Sequence, residues 1–147
     1  MNRESFSGKT RKGLNATIRI ERWPADFFLH AEGPGIFGSF IVQQLPRKSG
    51  KWEFQGISRD DQERARIHPT RQNLGGALVA HALEEIASQR GRELRISDVV
   101  NHGFQKKLEE MGGQPSQGKL GLNFIWNEES ITHPEKRKLW AKYLLRQ

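Results

Sequence analysis

The chain has 147 residues, enough for one domain with its own core, and an apolar fraction of 35% with a mean hydropathy of -0.75 implies a compact core under a polar surface. It contains no cysteine, which excludes disulfides, thiolate zinc sites and a cysteine nucleophile. A net charge of +7 and a pI near 10.1 attract polyanions such as nucleic acid, anionic surfaces and phosphorylated cofactors.

Residues 1–13 (MNRESFSGKTRKG) carry no apolar h-region and read as a basic flexible tail in front of a single domain over 14–147. No apolar run approaches the roughly 20 residues that span a bilayer, so no membrane association is expected. Together with the absence of cysteine, this gives an expected cytoplasmic location. Residues 16–23 alternate, with Ile18 and Ile20 on one side and Arg19 and Glu21 on the other, as in a strand. Turn residues separate further strands at 27–31, 37–45, 52–57 and 64–68. Their aromatic residues Phe27, Phe28, Phe37, Phe40, Trp52 and Phe54 read as core.

The period then changes. Leu74, Leu78, Val79, Ala82, Leu83 and Ile86 form one helical stripe over 74–90, with Glu84, Glu85, Ser88 and Gln89 outside it and Gly91 suited to the C′ position. A strand at 93–100 follows, its Val99-Val100 end suggesting a buried sheet centre. Phe104, Leu108 and Met111 mark a short amphipathic helix; a loop at 114–118 leads to a strand at 119–126. Thr132-His-Pro-Glu135 fits a capping box for a basic amphipathic helix at about 133–146. Early hairpins followed by a strand–helix–strand unit predict an α/β fold: a mixed, mostly antiparallel sheet with a central βαβ unit and flanking helices.

A helix that opens on Gly75-Gly76 presents unpaired backbone N–H groups under the positive end of its dipole, and such a terminus binds phosphate. The hexapeptide Gln72-Asn73-Leu74-Gly75-Gly76-Ala77, approached by His68-Pro69 and Arg71, resembles the pyrophosphate loop Gln/Arg-x-x-Gly-x-Gly/Ala of the GNAT superfamily of acyl-CoA-dependent N-acyltransferases. About 30 residues further on, Asn101, Phe104, Leu108 and Gly112 stand at the offsets of a second pattern of that family. The resemblance covers residues 64–113. Over 14–57 the family usually places two helices after its first strand, and only strands are read here.

The resemblance implies a GNAT-like fold and transfer of an acetyl or other acyl group from acyl-CoA to an amine acceptor. Arg71, Gln72, Asn73, Leu74, Gly75, Gly76 and Ala77 would bind the cofactor. Asn101 either hydrogen-bonds the pantetheine arm or caps the helix that follows it. A base for the amine is sought in His68, whose side chain titrates near neutrality, or Glu53; Glu63 is a further candidate. The family's usual Tyr at the second pattern, thought to protonate the departing CoA thiolate, is Leu108 here, and leucine has no proton to give. A second reading follows: a catalytically impaired GNAT-like protein that binds nucleic acid or an acidic protein partner through its basic surface. The five histidines show no metal-ligand spacing, and no metal is expected.

Overall fold

The computed structural model describes residues 2–33, 36–56 and 74–147. Five strands come first: β1 (Asn2–Lys9), β2 (Asn15–Arg22), β3 (Asp26–Gly33), β4 (Ile36–Gln44) and β5 (Lys51–Gly56). Then follow α1 (Leu74–Ser88), β6 (Glu93–Val99), α2 (His102–Glu110), β7 (Gln114–Gln117), β8 (Leu122–Asn127), α3 (Glu128–Thr132) and α4 (Pro134–Ala141). The strands form one mixed sheet in the order β1-β2-β3-β4-β5-β6-β8-β7. β1 to β5 run as an antiparallel meander, β5 and β6 pair in parallel across the α1 connection, and β8 pairs antiparallel with both β6 and β7. Antiparallel neighbours need only tight turns, whereas the parallel pair requires the helical crossover. Among the described residues the strand–helix–strand unit is β5–α1–β6. The strand expected at 64–68 lies outside the described residues.

Directly opposed residues share a face of a sheet, and here one face carries the core. Leu29 opposes both Ile20 and Phe40, Val42 opposes Phe27, Leu94 joins Trp52 to Trp126, and Ile96 opposes Phe124. All of these are buried, together with Leu74, Leu78, Leu83 and Ile86 of α1, Leu108 of α2, Ile131 of α3 and Trp140 of α4. The helices gather on that face. α1 is covered almost all round, from Gly76 to Leu83, because α2, α3 and α4 pack on its far side. The alternate sheet face, with Arg19, Glu21, His30, Ile41, Glu53 and Ser97, has no helix over it among the described residues.

Three expectations are corrected. Residues 2–9 are not a flexible tail but an edge strand, paired with β2 from Asn2↔Arg22 to Lys9↔Asn15. Arg22 holds β1 through Glu4 (2.6 Å) and α1 through a bidentate pair with Glu85 (2.8 and 2.7 Å), and Phe6 lies on the His81 ring at 4.9 Å. Residues 114–117, expected as a loop, form the short edge strand β7. Thr132 does not cap the last helix: it ends α3, its hydroxyl donates to the Glu128 carbonyl at 2.8 Å, and α4 begins after His133 with no side-chain cap. The last helix therefore spans Pro134–Ala141 rather than 133–146. The chain then turns back so that Arg146 and Lys9 form an antiparallel bridge.

Two smaller differences have clear causes. The left-handed residue closing α1 is Arg90 (φ 57°), with Gly91 N–H bonded to Ile86 at 2.8 Å and Arg90 N–H to Ala87 at 3.0 Å, the pattern of a Schellman cap. Gly91 is glycine for lack of room: a Cβ there would strike Ile86 and lie 2.9 Å from Trp52 Nε1. Val99 is buried as expected but Val100 is 64% exposed, since the strand has ended. Among the described residues no helix is long and apolar enough to cross a membrane.

Candidate functional site

α1 begins at the end of the sheet where β5 stops, and α2 begins at the same end, after β6. This is where α/β sheets place ligands, beyond the carboxyl ends of the parallel strands. The first turn of α1 carries no acidic side chain, so nothing on the helix itself offsets the positive end of its dipole. His68, Arg71, Gln72 and Asn73, and Glu63 with them, lie outside the described residues. Of the expected loop, Leu74, Gly75, Gly76 and Ala77 are in view. Leu74, Gly76 and Ala77 are buried.

The two glycines admit aromatic rings. A Cβ at Gly75 would stand 3.1 Å from Phe104 Cε1, and one at Gly76 would stand 3.1 Å from Tyr143 Cδ1. The flank of this turn is thus packed by Phe104 and Tyr143 rather than open. The Tyr143 ring covers the first turn of α1. Three cations surround that ring: Lys107, Arg11 and Lys142, at 5.0, 5.2 and 5.8 Å from its centroid. Sequence reasoning missed this group. Its members come from the β1–β2 turn, α2 and the chain after α4, and no spacing rule links them.

Asn101 is the N-cap of α2, its side-chain oxygen accepting the Phe104 N–H at 2.9 Å. The capping reading therefore holds; the side chain is exposed, with its amide N–H groups available to a ligand. Leu108 is fully buried, a core residue of α2 with no acid function.

On the other face, β5 and β6 part. Their parallel pairing runs from Lys51↔Glu93 to Phe54↔Ile96 and ends there, and the register of β6 against β8 shifts between Ile96 and Val99. Asp98 takes a positive φ of 54° at this shift; its N–H donates to Asn123 Oδ1 and its Oδ1 accepts the Leu120 N–H, both at 3.0 Å. A cleft of about 540 Å³ opens beside the parting strands, lined by Glu53, Ser97, Asp98, Gln117, Lys119 and Asn123 among others. Ser97 Oγ lies 3.4 Å from Glu53 Oε1. Because Trp52 and Phe54 point to the helices, Glu53 points away from them. The fork in the sheet thus has amide donors on one side and a carboxylate on the other.

Among the solved structures this architecture recurs. The chain matches a cAMP-binding acyltransferase from Mycobacterium smegmatis with a TM-score of 0.59 and 8% identity, over 96% of this chain and 54% of that one. The chain shares the mixed α/β fold of that structure. It also matches an acetyltransferase structure of the GNAT family from Desulfovibrio desulfuricans (TM-score 0.49, 14% identity, 71% of this chain and 69% of that one). A third match is the AtaT toxin bound to the C-terminus of the antitoxin AtaR and acetyl-CoA (TM-score 0.39, 17% identity, 80% and 70%). The fold argument rests on the first of these and extends to the fold alone. No protein-family model matches the chain, and no curated protein matches it by sequence.

The five described strands before α1 stand where the resemblance placed two helices after the first strand. Among the described residues no group of three or more His, Cys, Asp or Glu side chains could hold a metal.

Proposed function

We propose that this protein is an acyl-CoA-dependent N-acyltransferase. The observation that carries the reading is the fork between β5 and β6, with the unneutralised first turn of α1 at its helical side and Glu53 at its open side. Acyl-CoA would supply the acyl group as a thioester. Arg71 and the backbone of Gln72, Asn73, Leu74, Gly75, Gly76 and Ala77 would hold its diphosphate at the helix terminus, where N–H donors and dipole act together. The amide of exposed Asn101, one strand over, would donate to the pantetheine arm.

The acceptor amine would approach from the open face. Glu53 would accept one proton from its ammonium form, with His68 as the other candidate base; the free amine would form the new C–N bond as the C–S bond breaks, and the departing thiolate would take up the second nitrogen proton. Ser97 would orient the Glu53 carboxylate. With Leu108 in the core, α2 gives no proton to the leaving sulfur. A thiol of pKa about 8.5 leaves tolerably as its anion, so the reaction does not require that acid.

Calorimetric titration of the purified chain with acetyl-CoA tests the reading. Saturable binding is expected; no heat at millimolar ligand would remove it.

A further inference from the structure

The end of the sheet away from the fork has no role in the mechanism above. Three turns meet there. The Gln44 N–H donates to the Ala25 carbonyl at 3.1 Å, the Arg92 N–H donates to the Gly50 carbonyl at 2.7 Å, and a Cβ at Gly50 would stand 3.1 Å from Arg92 Cδ. The turns at 23–25, 45–50 and 89–92 therefore form one surface. Arg47, Lys48, Lys51, Arg90 and Arg92 all stand exposed on it, with the half-buried carboxylates of Asp26 and Glu93 among them. Among the described residues none of these five cations is paired with a carboxylate, whereas Arg19, Arg22 and Arg137 are. Lys48 and Arg90 take left-handed backbone (φ 62° and 57°), where glycine is the unstrained choice. The turns themselves do not call for these two side chains.

The same surface holds an open indole. Of the four tryptophans, Trp52, Trp126 and Trp140 are buried, but Trp23 is 47% exposed. It lines a cleft of about 420 Å³ together with Asp26, Gln43, Leu45 and Arg47. Its N–H donates to Glu21 Oε2 at 3.3 Å, and Arg3 neutralises Glu21 at 3.1 Å. We propose that this end of the sheet binds single-stranded nucleic acid, with one base stacked on Trp23 in the cleft and the adjoining phosphates on Arg47, Lys48, Lys51, Arg90 and Arg92. Every base has a face that an indole can take, and a duplex keeps those faces hidden. Asp26 and Gln43 meet the polar edge of the base, and guanidinium and ammonium groups meet the phosphates. A lipid surface would find no partner for the carboxylate and amide inside the cleft. The surface lies at the amino ends of β5 and β6, so the proposal stands independently of the transferase reading.

Because Trp23 is the one tryptophan in contact with water, its emission reports the contact directly. The full chain is titrated with a fluorescein-labelled single-stranded oligonucleotide of about 10 nucleotides, reading tryptophan quenching and label anisotropy together. Saturable quenching is expected at about 50 mM salt, with a log–log salt slope of about −2 to −3.5, as three to five phosphate contacts would give. Trp23→Ala is expected to weaken the anisotropy binding by at least about fivefold while leaving the salt slope unchanged. The Lys48→Gly, Arg90→Gly double variant puts glycine where the backbone already suits it, so its melting temperature should not fall. It is expected to bind more weakly, with the salt slope reduced by about 1.4.

An oligonucleotide that neither binds nor quenches overturns the proposal. So does binding that survives both variants unchanged, which would place the nucleic acid on another face of this basic chain. A duplex of the same sequence that binds as tightly and quenches as strongly removes the stacking role of Trp23 and overturns it as well. If vesicles containing phosphatidylserine shift the Trp23 emission to the blue while the oligonucleotide leaves it unaltered, the surface is a membrane contact and the proposal falls.

Discussion

The backbone N–H of Leu145 donates to Nε2 of His81, 3.2 Å away, which ties the end of the chain to the middle of α1. Phe6 of β1 packs on the same imidazole, so one buried side chain joins the first strand, the central helix and the last residues. An imidazole that accepts at Nε2 must be neutral there.

Burial alone lowers the His81 pKa from 6.5 to about 4. Protonation is therefore easier in the unfolded chain than in the folded one. Its contribution is complete above pH 6.5, declines as the pH falls through the interval down to about 4, and reaches about 3 kcal/mol of lost stability at the bottom of that interval. Urea unfolding at pH 7.5 and pH 4.5 should show the loss. His81→Gln, which keeps an acceptor but does not titrate, should flatten that part of the profile.

The Arg22–Glu85 pair predicts a second effect. Burial pushes the Glu85 carboxyl up, but the Arg22 and Gln89 hydrogen bonds outweigh it and leave the pKa below the ordinary value. Glu85→Ala would remove the bidentate partner of the Arg22 guanidinium and leave it with Glu4 alone, at a cost of about 1–3 kcal/mol. The midpoint of urea unfolding reports it directly. A shift below about 0.5 kcal/mol would mean that the pair is fully screened by water.

Glu53→Gln separates chemistry from binding. As the proposed base it should lower kcat by roughly 10²- to 10⁴-fold, while calorimetric affinity for acetyl-CoA stays unchanged because Glu53 faces away from α1. Unaltered turnover would transfer the role to His68, for which His68→Gln is the matching test.

Leu108→Tyr asks whether the family's acid can be restored. Leu108 is fully buried, under the Gly112-Gly113 turn, so the larger phenol overpacks the core. A loss of about 1–3 kcal/mol is expected, with no gain in turnover. A faster enzyme of unchanged stability would contradict the placement of this side chain.

What the sequence disclosed depended on how far each signal reached. The alternation of Ile18 and Ile20 against Arg19 and Glu21 reports a strand whose two faces meet different environments, and such strands were legible. β1 was not, because at the sheet edge nearly all of Asn2–Lys9 faces water and no apolar rhythm survives. β7, a four-residue exposed strand containing Pro115, failed for the same reason and takes its form from β8. The stripe of α1 was plain; its burial on nearly every side depends on α2, α3 and α4 closing over it. At the candidate site, Gly75-Gly76 and Asn101 stood out by local chemistry. The Phe104 and Tyr143 rings on those glycines, the cations around Tyr143, and Asp98 with Asn123 at the fork are products of tertiary contact between distant segments.

With every described helix on one side of the sheet, the proposed reading gives the fork two doors. A carrier loading through the helical door and an amine entering by the bare one need not queue, since neither crosses the other's path. Such an enzyme would admit its substrates in random order, with initial-velocity lines that intersect and carrier product that does not compete with the amine.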